Sequence, residues 1–451
     1  MGAGWSEANW GGEMPDASWI DEAAAGHPVF LTRMDYHMAL VNTAALQLAG
    51  MMDGAVRSVE GGVVDRDPAT GLPTGLLRER AMDLVLHLIP SPSLQQRRAA
   101  LAAASSYLLA RGVTSVGDVG WGVFGSGDDA WPDLEQVYDA AVAAGEMPVR
   151  VSSYVPLRTW RRAAERLRAN GTHHASGRLI WGGVKEFADG SLGSSTAVFW
   201  SPYADDPTNS YTGTRLIALD DLQQLAQNAA GAGLQIAVHA IGDRAMDEVL
   251  EVFEHLEGCR EPERAPDAAR KPGAQHLTKC TGHRVEHVQH ISSSVTAAKL
   301  AVLGVHAVPN PQHLIADRAM LVPKLGPVRA GAGHTHAYRT LATMGVSMGM
   351  ASDWPVVEVD PFASVYAAVF RAAPPQGNHT AALPWAPEEA VPLEMAMQLH
   401  TAAAAKVVRL EQWAGQLRPG CVETSSCWTG RLLRAWMRMG VAALVQVCRK
   451  L

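Results

Sequence analysis

The sequence predicts an α/β fold built on a parallel sheet with helices packed outside it. Three observations carry that prediction. Apolar, often β-branched runs recur along the middle of the chain, segments with helical periodicity alternate with them, and several runs stop on a histidine, a lysine or an aspartate.

Taken in order, a helical segment at 93–110 leads into the first run, 113–118 (VTSVGD). Helical periodicity at 131–144 and 159–169 separates the runs 148–154 (PVRVSSY) and 179–187 (LIWGGVKEF). After a helix expected at 219–231 comes the fourth run, 234–239, in which Leu234, Ile236, Ala237 and Val238 end on His239. Gly242 follows, then Asp243 as the N-cap candidate of a helix over 243–256. The runs 283–288 (HRVEHV), 304–309 (GVHAVP) and 346–352 (VSMGMAS) complete the series, with helices expected at 293–302, 336–344 and 361–371. An open doubly wound sheet could hold seven strands, but no glycine-rich nucleotide turn follows any of them. A closed (β/α)8 barrel needs eight, so the chain reads as one strand short of a barrel.

Composition narrows the function classes. At 451 residues the chain is long for one domain unless that domain is a barrel or carries an appendage. Apolar residues are 47% and charged residues 18%, an ordinary globular mix. A formal charge of −7 gives no reason to expect nucleic acid or an anionic membrane as partner. Five scattered cysteines with no CxxC pair argue against a disulfide framework and a cysteine zinc site. The start "MGAGWSEANW" has no basic or apolar signal region, although Gly2 and Ser6 fit the myristoylation spacing. No apolar stretch is long enough to span a bilayer, and a cytoplasmic location is the default expectation.

The polar residues at the strand ends carry the chemistry. Lys185 stands near the end of the third run, His239 ends the fourth, His287 stands in the fifth, "VPNPQH" leads from the sixth to His313, and Asp353 follows the seventh. In α/β folds ligands gather at the carboxyl edge of the sheet. Neutral imidazole and carboxylate suit a zinc-like divalent cation. A lysine ammonium has no lone pair to offer, but carboxylated on its terminal nitrogen it becomes an anionic carbamate able to bridge two ions. Each residue has a simpler explanation: Lys185 paired with Glu186 or Asp189, His239 and His287 as core histidines, Asp353 capping a turn. Together those explanations need four coincidences.

The order lysine, histidine, histidine, aspartate resembles the amidohydrolase superfamily. The stretches "VKEFADGSLGSSTA", "AVHAIGDRAMDEVLEVFE", "HRVEHVQ", "PNPQHLIAD" and "ASDWPVVEVDPF" resemble its amidohydrolase 3 branch, which includes N-substituted formamide deformylases. "PVFLTRMDYHMALVNTAAL" and "GLPTGLLRERAMDLV" are similar to the branch's segment between barrel strands one and two. The likeness runs from about residue 4 to about residue 420.

That resemblance implies a (β/α)8 TIM-type barrel, here lacking strand one and most of the accompanying small β-sandwich. It divides the chain into a segment 1–92 between strands one and two, strands two to eight over 93–415, and a divergent tail 416–451. The family's first strand ends in a metal-binding His-x-His; here that spacing occurs only at His334 and His336, after the sixth run. The implied ligands are Lys185, His239, His287 and Asp353 around one or two divalent ions, zinc being the expected one. Asp353 is the implied proton-transferring catalytic residue, and His37, His313 and Asp189 are the expected substrate contacts, with Asp35 and Tyr36 beside His37. The implied reaction is hydrolysis of an amide-like, non-peptide C–N bond of a small molecule by metal-activated water. Two other readings stay open: a non-catalytic remnant, and an isomerase or deaminase on the same scaffold. No nucleic acid or membrane partner is expected, and a homo-oligomer is the assembly to look for; apolar surface left by a missing strand predicts a poorly soluble chain that binds zinc weakly and shows at most traces of activity. The insertion 259–282 reads as a charged surface loop, and 430–451, with Arg431, Arg434 and Arg438, as a membrane-surface helix or a non-native reading frame.

Overall fold

A computed structural model describes residues 1–52, 59–120, 130–256, 282–375 and 383–416. The insertion 259–282 and the tail from 417 fall almost wholly outside the described residues.

The first part forms a five-stranded sheet: β1 (Gly2–Trp5), β2 (Phe30–Arg33), β3 (Met38–Val41), β4 (Gly62–Arg66) and β5 (Pro73–Glu79), ordered β1-β2-β3-β5-β4. β1 and β2 run parallel and the other pairs antiparallel. Alternating apolar residues bury one face: Phe30, Ala39, Val41 and Leu77 pack with Leu46, Met51 and Met82 in a core separate from that of the larger sheet. Gly2 pairs with Leu31 in β1, and Ser6 caps the short 3-10 helix Glu7–Trp10. Between β2 and β3 the chain reverses through Tyr36, whose φ of 61° is left-handed. That turn brings Arg33, Asp35 and His37 towards the second sheet.

The second sheet contains β6 (Ser115–Asp118), β7 (Arg150–Pro156), β8 (Leu179–Phe187), β9 (Gln235–Ala240), β10 (Arg284–His287) and β11 (His306–Val308), all parallel and adjacent in chain order. The seventh expected run appears as a single parallel bridge, Ala307 to Met348. The result is a curled parallel sheet, part of a barrel, with its helices outside. Val184, Ile236, Val238 and Val285 face Leu222, Val249, Leu250 and Phe253 of those helices in the largest core. The opposite face carries polar residues, among them Tyr154, Gln235, Arg284 and Glu286. The Tyr154 hydroxyl lies 2.5 Å from Gln235 Oε1, and the Arg284 fork grips Glu286 while Nη1 donates to Tyr154 at 2.9 Å. Such groups persist inside a fold because each has a partner.

Two local expectations are corrected. Gly242, not Asp243, is the N-cap of helix Asp243–Glu254; Asp243 stands inside the first turn and accepts from the Trp200 amide at 2.9 Å. No helix is expected between 302 and 336 from periodicity, yet His313 lies in the first turn of helix Pro311–Arg329. Its internal Pro323 and Pro327 hid this helix from periodicity, and the chain kinks at Gly326 (φ 73°), while Pro311 at the start presets the helical φ. Lys185 lies within strand β8, as the third run places it. Among the described residues no helix is long and apolar enough to cross a membrane.

Candidate metal centre

His239 is the penultimate residue of β9, in register with Phe187 of β8 and Glu286 of β10. Its Nε2 lies 3.1 Å from the Gly190 carbonyl oxygen. A carbonyl only accepts, so Nε2 carries the proton and Nδ1 keeps its lone pair. Burial, followed by the neighbouring His287, His37 and Lys185, pushes the imidazole well below its ordinary pKa and keeps it neutral.

Strand alternation alone would send His287 to the helix side with Val285, because Glu286 shares the face of His239. His287 instead has a left-handed φ of 73°, and Val288 one of 42°. This break in the strand brings the His287 ring to 4.4 Å from that of His239, centroid to centroid. Left-handed backbone at a non-glycine residue is disfavoured and tends to persist where a site needs it. His287 Nδ1 lies 2.9 Å from Asn310 Oδ1, so it donates there and leaves Nε2 free to bind. Burial is the main cause that lowers its pKa to about 4.

His313 stacks on His287, with ring centroids 5.6 Å apart. Its Nε2 is buried without a hydrogen-bond partner and stands 3.6 Å from Asp353 Oδ2. An orphaned buried nitrogen is costly unless something binds it. Asp353 follows the bridged segment with a φ of 58°, its side chain about a third open to the cleft at 32%. Burial works to raise its carboxyl, but His287, His313, Lys185 and His37 together hold it below the usual value and ionised. Ligand atoms of His287, His313 and Asp353 all lie within 4.8 Å of one another. Two neutral imidazoles and a carboxylate at that spacing fit one zinc-like cation.

Lys185 lies beside this group. Its Nζ donates to the Glu186 main-chain oxygen at 3.1 Å and sits 3.2 Å above the Phe187 ring. Burial pulls its pKa down to about 7, so much of it is a neutral amine near neutral pH. His37 comes from the other sheet, its ring 5.1 Å from that of His239. Both oxygens of Glu79 lie within 3.1 Å of its Nδ1. Burial opposes protonation there, but Glu79, Asp35 and Asp353 outweigh it and lift the pKa to about 9. Asp35 ties the hairpin down, accepting from Arg33 Nη1 at 2.8 Å, Ser191 Oγ at 2.6 Å and Ser194 Oγ at 2.8 Å.

Of the expected residues, the cleft gathers His37, His239, His287, His313 and Asp353. Asp189, expected to touch substrate, does not reach it: the side chain is fully buried and accepts from the amides of Val198, Ile241 and Gly242 at 2.8–3.0 Å. It buckles the end of β8 to the end of β9. Neither His334 nor His336 lines the cleft; the His336 Nδ1 meets the Tyr338 hydroxyl at 3.1 Å, and the His334 Nδ1 meets the Ile291 carbonyl oxygen at 3.2 Å. Sequence reasoning missed Glu79, Asn310 and Asp317. An acid closing a strand in "LLRER" and an asparagine before Pro311 in "VPNPQH" were the available signals for the first two.

Comparisons with known proteins show the family. The model of the amidohydrolase family matches residues 1–422. The chain is 37% identical over 421 residues to Protein LONG AFTER FAR-RED 3 of Arabidopsis thaliana, covering 93% of this chain and 67% of that protein. It is 27% identical to the N-substituted formamide deformylase of Arthrobacter pascens, covering 85% of this chain and 65% of the enzyme. An uncharacterized metal-dependent hydrolase from Pyrococcus furiosus superposes with a TM-score of 0.62 at 26% identity, covering 93% of this chain and 75% of its own. The chain thus spans about two-thirds to three-quarters of the length of these relatives. It belongs to the amidohydrolase family, in the amidohydrolase 3 branch.

Proposed function

We propose that the protein is a metal-dependent hydrolase of amide-like, non-peptide C–N bonds in small molecules. The observation that carries this reading is the convergence of His287, His313 and Asp353, with the His313 Nε2 left orphaned. These three would hold a divalent ion, zinc by the chemistry of the donor set. A bound ion supplies Lewis acidity and lowers the pKa of water. Asp353, kept ionised and open to the cleft, takes the proton from the attacking water and passes it to the leaving nitrogen. His37, as an imidazolium backed by Glu79, donates to the oxygen on which negative charge grows. Lys185, buried and weakly basic, is the residue whose amine could add carbon dioxide to form a carbamate and extend the site to a second ion.

The test is amine release from N-substituted formamides and N-acyl amines by zinc-supplemented chain, with Asp353→Asn as control. Turnover abolished by that substitution supports the reading; no turnover across the panel removes it. One observation favours a non-catalytic alternative: His37 stands beside His239 as a cation, not as a ligand with a free lone pair. Bound metal without turnover would select that alternative.

A further inference from the structure

The wall of the cleft beyond the three converging ligands carries an imbalance of charge. Arg33, 1% exposed, donates through Nε and Nη2 to Glu7 and through Nη1 to Asp35. One guanidinium therefore already faces two carboxylates. His37 is matched by Glu79. Asp317 stands on the same wall, on helix Pro311–Arg329, four residues after His313 and so on the same helical face. Gln289 Nε2 donates to its Oδ2 at 2.5 Å; that is a neutral donor, and no cation of the described residues forms an ion pair with Asp317. Burial and the like charge of Asp35 outweigh the attraction of Arg33 and raise its carboxyl to about 7, the state of an acid awaiting a counter-charge. The same cleft contains the buried, unpartnered His313 Nε2, so two groups in it call for a ligand.

Resting on the hydrolase reading above, we infer that Asp317 is the specificity-determining residue of this cleft and selects substrates carrying a protonated amine. Four helical residues rise about 6 Å, which sets the spacing between the bond held at His313 and the charge held at Asp317. A compact amide with a basic nitrogen three or four atoms from the amide nitrogen matches that span. Gln289, fixed behind the carboxylate, orients one of its oxygens and leaves the other for the ammonium. Met34, Leu192 and Met320 line the same cleft and fit the intervening methylenes.

Two isosteric probes separate charge from shape: N-(3-aminopropyl)acetamide, cationic at neutral pH, and N-butylacetamide, neutral. Binding of each to the full, zinc-supplemented chain is measured by calorimetry, and amine release is followed in the same samples. The cationic probe is expected to bind at least about tenfold tighter, one step of the affinity scale. Asp317→Asn should collapse that ratio towards one, and Asp317→Glu, which keeps the charge, should retain it; the latter keeps the comparison valid if the asparagine variant misfolds. Equal binding of the two probes, binding of neither, or a preference that survives Asp317→Asn overturns the inference. Amine release without an Asp317-dependent preference removes this inference and keeps the hydrolase reading. A preference without amine release does the reverse.

Discussion

The centre and the margins of the parallel sheet are built differently. Every residue of β9 and β10 is buried, and each strand is bonded on both sides. At one margin every residue of β6 is partly or fully exposed; at the other, the run before Asp353 makes one bridge to β11, with the Met350 amide donating to the Leu399 carbonyl and the Ala351 amide to that of Pro309. Among the described residues, side chains link these margins where no backbone ladder does. Tyr107, on the helix Leu94–Ala110 that precedes β6, stacks on Trp354 at 5.2 Å and donates to Glu358 at 2.7 Å. Leu108, Val149 and Val359 pack in a small core of their own nearby. The difference teaches where the site is rigid. His239 and His287 stand in strands paired on both sides, whereas Asp353 follows a run that makes a single bridge.

The largest effect that sharpens this contrast is removal of a central ligand. His287→Ala should weaken divalent-metal affinity by more than about 100-fold, and Asn310→Ala, which loses only the orienting bond, by about 10–100-fold. Metal titration distinguishes the two, and equal losses would contradict the assigned roles. Next, Ile236→Ala in β9 should cost about 2–5 kcal/mol in urea unfolding, against under about 1.5 kcal/mol for the half-buried Val116→Ala in β6. Matching costs would erase the distinction between centre and margin.

Acid should also strike the centre first. Burial lowers the pKa of His283 and His306 to about 4 and of His290 to about 3. The unfolded chain takes up protons near pH 6.5 while the folded chain does not, so stability is fully present above about 6.5 and falls as pH drops towards the folded values. At pH 5.5 each histidine should remove about 1.4 kcal/mol. The Ile236 amide donates to His283 Nδ1 at 3.1 Å, a bond that protonation would break. A melting temperature unchanged between pH 7 and pH 5 would contradict this. The smallest effect belongs to the margin: Tyr107→Phe should cost about 1 kcal/mol or less, with metal affinity reduced only a few-fold. A loss as large as that of His287→Ala would mean that the margin, not the centre, holds the ion.

Much of the sheet was legible because β-branched runs such as 234–239 and 283–288 are buried on both faces and stop on polar residues. Helix Pro311–Arg329 was not, since its prolines imitate a loop and its hydrophobic period is broken by the kink at Gly326. The His287 side chain could be placed in the site only by analogy, because alternation assigns Glu286 to that face and a left-handed φ reverses the outcome. Asp189 misled for a related reason: an acid just past a strand end can face ligand or backbone amides, and only the packing of 196–198 and 241–242 decides. Glu79 and Asp317 act through residues far away in the chain, His37 and Gln289, which no local pattern connects.

Zinc titration of the purified, metal-stripped chain, followed by metal analysis after desalting, tests most directly the claim that His287, His313 and Asp353 hold one cation. The account predicts about one retained equivalent for the unaltered chain. His313→Ala and Asp353→Asn should each lose most of it while keeping the circular dichroism of the parent. Retention of a full equivalent by both variants, or none by the parent, would contradict it.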